Sequence, residues 1–117
     1  MFISSSEMLS LKHIGGMLII KNSGLENLIA FSSVVSMQDT FPISGHHDAG
    51  IWIGGNKNLI SLNGLSDLSK IAGHCLISHN PKLKEINALA SVTTVDHGIE
   101  LQYNDALENL NGFQNIT

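Results

Sequence analysis

Three asparagines, Asn56, Asn80 and Asn104, recur with an unbroken period of twenty-four, and the same apolar pattern surrounds each of them. A fourth, Asn22, precedes Asn56 by one such period plus a ten-residue insertion. Before each asparagine lies a pair of apolar residues two apart: Met17 and Ile19, Ile51 and Ile53, Cys75 and Ile77, Ile99 and Leu101. Alternation with period two is the pattern of a strand that buries one face. After each asparagine, apolar residues recur at every third position. Leu59, Leu62, Leu65, Leu68 and Ile71 follow Asn56, and Leu83, Ile86, Leu89, Val92 and Val95 follow Asn80. The flanking units read Leu25, Leu28, Phe31, Val34, Met37 and Leu107, Leu110, Phe113, Ile116.

A strict spacing of three does not suit an α-helix. At ~3.6 residues per turn each step falls ~60° short, so the apolar stripe would wander round the cylinder. Asn63-Gly64 and Asn111-Gly112 also place turn chemistry inside the run. The pattern therefore predicts a polygonal coil of short extended or 3₁₀ pieces, each turning one side chain inward. About four such coils, stacked at ~4.8 Å, make a solenoid with a continuous core, a single domain over residues 1–117. At the corner after each strand, backbone groups point away from water. The amides of Asn22, Asn56, Asn80 and Asn104 are placed to satisfy them as a ladder, where one unpaired buried group would cost ~1–3 kcal/mol.

The ends and the insertion carry their own expectations. Ser4-x-x-Glu7 is a capping box, followed by Met8, Leu9, Leu11, Ile14 and then Gly15-Gly16. It predicts a short helical cap within residues 1–16, which makes the solenoid an α/β type. Residues 38–49 form a loop insertion between the first and second coils. The last unit stops at Ile116-Thr117, one apolar position short. Its open coil is expected to be covered by a second copy of the chain or by further sequence.

The string Ile51-x-Ile53-x-x-Asn56-x-x-Leu59-x-x-Leu62-x-Gly64-Leu65-x-x-Leu68-x-x-Ile71 resembles the receptor L-domain, a leucine-rich-repeat relative, as does Cys75-x-Ile77-x-x-Asn80-Pro81-x-Leu83-x-x-Ile86. The resemblance runs from about Leu11 to Ile116. It implies a right-handed single-stranded β-helix that serves as a recognition scaffold, often outside the cell. It implies no catalytic residues.

Function is less legible. A net charge of −4 gives no basic stripe for nucleic acid, and no apolar run reaches the ~18–20 residues of a membrane span. The N-terminus lacks a signal-peptide pattern, so the chain as it stands reads as cytoplasmic, and as extracellular if it is part of something longer. Cys75, the one cysteine, falls on an inward position and reads as a buried small hydrophobe. His46, His47, His74 and His97 precede strands and would gather along one edge near Asp48 and Asp96, a weak candidate for zinc or nickel. His13 and His79 read as surface residues. No Gly-x-Ser-x-Gly elbow or complete phosphate loop is present. No metal or other cofactor is expected. The outward positions between the buried strand pairs are Leu18, Trp52, Leu76 and Glu100, three of them apolar. That stripe, and the open C-terminal coil, predict a non-enzymatic protein-interaction or assembly module whose first partner is itself, as a homodimer. The alternative is a module for glycan or peptide, with Trp52 and Tyr103 as stacking platforms.

Overall fold

A computed structural model describes residues 13–15, 17–34, 36–38 and 50–117. They form eight strands: β1 (His13–Gly15), β2 (Met17–Lys21), β3 (Ser36–Gln38), β4 (Gly50–Gly54), β5 (Lys70–Ile71), β6 (His74–Ser78), β7 (Thr94–Val95) and β8 (Gly98–Gln102). Odd and even strands belong to different sheets, ordered β1-β3-β5-β7 and β2-β4-β6-β8, and every pairing is parallel. The last three strands of the even sheet and the last two of the odd sheet pair in steps of one sequence period: Ile53 faces Ile77 and Ile77 faces Leu101, while Ile71 faces Val95.

The spacing of three has a direct cause. Many inward residues return the backbone N–H to the carbonyl three positions back: Leu65 to Leu62, Leu68 to Leu65, Leu89 to Ile86, Val92 to Leu89. Successive turns of this kind aim one side chain in three at the same interior. Leu59, Leu62, Leu65, Leu68, Ile71, Leu83, Ile86 and Val92 are fully buried there, each burial stabilising by about 1.5–3 kcal/mol. The turn glycines have a steric reason. Gly64 has φ +119°, and a Cβ on it would overlap the carbonyl of Leu28; Gly112, at φ +132°, stands in the same relation to Ile86.

This pairing corrects the fold class. The expected α/β solenoid, a single-stranded β-helix with a helical N-terminal cap, assigns one strand to each unit. The molecule instead has two parallel four-stranded sheets and only short 3₁₀ turns at Ile29–Phe31 and Asn87–Ser91, with no α-helix among the described residues. The second strand arises because the fifth apolar position of each unit is extended and paired, as at Ile71 and Val95, both β-branched and suited to a pleated row. Of the expected cap, His13–Gly15 is a strand, and residues 1–12 lie outside the described residues. So do residues 39–49 of the insertion. The sheets enclose one core, with a radius of gyration of 13.4 Å and extents of 37 × 33 × 22 Å.

The first unit is also corrected. Its β2 strand places Ile20 opposite Ile53, an offset of thirty-three, whereas Met37 of β3 pairs Ile71 at an offset of thirty-four. The chain between the ladder position and Leu28 is thus one residue short. A one-residue slip exchanges the two faces of a strand. Ser23, not Asn22, therefore enters the ladder, and Leu18 and Ile20 point inward while Ile19 points out.

Candidate functional site

The polar interior is built from Ser23, Asn56, Asn80 and Asn104. Asn80 Nδ2 donates to the Ile53 carbonyl at 3.1 Å and to Asn104 Oδ1 at 3.1 Å. Its own Oδ1 accepts from Asn56 N at 3.2 Å and Asn56 Nδ2 at 3.1 Å. Asn56 Nδ2 likewise donates to the Ile20 carbonyl, and Asn104 Nδ2 to that of Ile77. At the head of the row Ser23 donates to Asn56 Oδ1 through its amide at 3.0 Å and its hydroxyl at 2.8 Å. Asn56 and Asn80 are fully buried, so these amides hold the two sheets' connections rather than a ligand. Asn22 serves the backbone instead. With φ 52° it occupies the left-handed corner filled in later units by Gly55 (φ 67°), His79 (φ 55°) and Tyr103 (φ 54°).

The outer face of the β2-β4-β6-β8 sheet is the candidate site. Its central row is Ile19, Trp52, Leu76 and Glu100, aligned across the four strands. Ile19 is 52% exposed, Trp52 and Leu76 are half-buried, and Glu100 is exposed. Leu18, expected on this face, packs against the core instead. The next row is Lys21, Gly54, Ser78 and Gln102. Gly54 matters because the indole of Trp52 lies against it: a Cβ there would come within 3.0 Å of Trp52 Nε1. That nitrogen is buried without a hydrogen-bond partner among the described residues, and Lys21 Nζ sits 4.0 Å from the centre of the ring. A groove of about 310 Å³ runs along the face between Trp52, His74, Leu76, Gly98 and Glu100.

No family model, curated protein or solved structure matches the chain. The reading of the site therefore rests on its geometry.

The remaining candidates are dispersed. Tyr103 is 67% exposed and stacks on His79 with ring centres 4.7 Å apart, at the corner rather than on the face with Trp52. His74 and His97 approach to 5.4 Å between ring centres. His46 and His47 lie outside the described residues. Among the described residues no three His, Cys, Asp or Glu side chains are gathered to hold a metal ion. Cys75 is buried, and loss of hydration pushes its thiol pKa up to about 12. No helix among the described residues is long and apolar enough to cross a membrane. Leu110 is 60% exposed in the last unit, where Leu107 and Phe113 pack partly against the core.

Sequence reasoning missed Ile19 and Ser23. Met17-Leu18-Ile19-Ile20 is apolar at four consecutive positions, so alternation could not choose a face. One signal would have found the slip. Aligning Asn22 with Gly55 puts the two residue types that best tolerate φ > 0 at the same corner.

Proposed function

We propose that this chain is a non-enzymatic protein-interaction module that docks through the outer face of the β2-β4-β6-β8 sheet. The observation that carries the reading is the central row, in which Ile19, Trp52 and Leu76 stand side by side on adjacent strands with Ile19 half open to water. Three large apolar side chains at ~4.8 Å spacing form a contiguous patch, and contiguous patches mark contact surfaces where scattered ones do not. Glycan stacking has less support. Lys21 lies over the Trp52 ring, Tyr103 is stacked on His79, and the two platforms are on different surfaces.

Trp52 is the sole tryptophan and reports on its own face. Peptides selected from a random display library against the folded chain are expected to change Trp52 emission and to lose binding in Leu76→Asp. If the selected peptides bind Leu76→Asp as well as the wild type and leave Trp52 emission unmoved, the face is not a docking surface.

A further inference from the structure

We infer that the occupant of this face is a second copy of the chain, seated face to face about a two-fold axis that runs parallel to the strands between β4 and β6. The inference rests on the docking role of the face and adds its partner and its geometry. Such an axis reverses the strand order of the facing sheet, so β2 lies over the partner's β8 and β4 over the partner's β6. In the central row Trp52 then meets the partner's Leu76, and Leu76 the partner's Trp52.

The charges at the two ends of the face fit that reversal. Lys21 is exposed on β2, and Glu100 is exposed on β8, accepting a hydrogen bond from Gln102 of the same strand. Lys21 is brought over the partner's β8, within reach of the partner's Glu100, and the same contact recurs at the opposite end. A face positive at one edge and negative at the other is complementary to itself only when the order is reversed. Stacking with the order retained runs the facing strands antiparallel and sets like edge on like edge, β2 over the partner's β2 and, about the central row, Glu100 on the partner's Glu100. Shape agrees: His74 comes over the partner's Gly50, where there is no side chain to meet it. The contact is isologous and closes, as two-fold interfaces do.

Its size sets the expected strength. Four strands at ~4.8 Å and five residues at ~3.3 Å give roughly 300 Å² per copy, well below the ~800 Å² per partner of a standard stable complex. Association should therefore be weak and concentration dependent.

Sedimentation velocity from about 10 µM to 1 mM, with circular dichroism to verify folding, tests the arrangement. The wild type is expected to dimerise, Lys21→Glu and Glu100→Lys each to weaken the dimer about tenfold or more, and the double reversal to restore it. A wild type monomeric throughout overturns the self-association but leaves the peptide-binding test free to succeed. Dimers indifferent to both reversals yet lost in Phe113→Asp would move the contact to the last unit and overturn the proposed axis. Single reversals that weaken without rescue in the double would refute the reversed pairing.

Discussion

Replacing Asn80 by alanine removes one side chain and four hydrogen bonds, three of them buried. The Ile53 carbonyl loses its side-chain donor and Asn56 N its side-chain acceptor, while Asn104 Oδ1 keeps the Asn80 amide and Asn56 Nδ2 keeps the Ile20 carbonyl. Each unsatisfied buried group costs about 1–3 kcal/mol. With the site fully buried, only small shifts or one entering water could relieve it. A loss near ~4 kcal/mol is expected, a large fraction of the ~5–15 kcal/mol that stabilises a domain. Ser23→Ala removes only the hydroxyl donor, since the Ser23 amide still reaches Asn56 Oδ1. It should cost no more than about 1 kcal/mol. Asn22→Gly, at a corner with φ 52°, should be neutral or slightly stabilising, because glycine adopts that conformation without a steric penalty. Urea unfolding followed by circular dichroism ranks the three. Asn80→Ala within ~1 kcal/mol of the wild type, or Asn22→Gly as damaging as Asn80→Ala, would refute the ladder and its register.

Leu18→Ala should lower stability by about 2 kcal/mol and Ile19→Ala by less than ~0.5 kcal/mol; thermal melts showing the reverse order would return the first strand to the other face. Cys75 should resist a thiol reagent at pH 8 until the chain is unfolded, as read by absorbance of the released thiolate. Because its folded pKa of about 12 exceeds the unfolded value of 9.0, the thiol's contribution is intact below pH ~9. It is lost as pH rises toward 12, at up to about 1.4 kcal/mol per pH unit, and urea midpoints at pH 8 and 10.5 should fall further in the wild type than in Cys75→Ala. Gly64→Ala should cost more than ~2 kcal/mol, since the new methyl would meet the Leu28 carbonyl at φ +119°; an unchanged melting temperature would contradict the turn geometry.

The period was legible wherever two independent signals agreed. In the units of Asn56, Asn80 and Asn104, alternation before the asparagine and spacing by three after it fix the same inward set, and in the first two of these those side chains are the buried ones, with Val95 partly buried. The first unit lacked that redundancy. Four consecutive apolar residues fit either face, and Asn22 suits a left-handed corner as well as a ladder, so the missing residue between Ser23 and Leu28 passed unseen. The second sheet was hidden for another reason. Residues such as Lys70-Ile71 and Thr94-Val95 are too short to show alternation, and only their parallel pairing reveals them as strands. On the outer face, Trp52, Leu76 and Glu100 were readable by parity alone, whereas the seat that Gly54 gives the indole required knowing how the ring lies.

The ladder has a direction, because Asn56 and Asn80 each send Nδ2 forward to the next Oδ1, and all three amides send it back to a carbonyl of the strand before. Its bonding rule refers only to neighbours one period away. A tandem duplication of residues 56–79 would therefore recreate each donor, each acceptor and each fully buried leucine of that stretch without asking any other residue to change. Length in this molecule is a quantity that a gene can alter in whole steps of one period. Fractional steps are tolerated only where the chain has left the strand and has not yet returned to it.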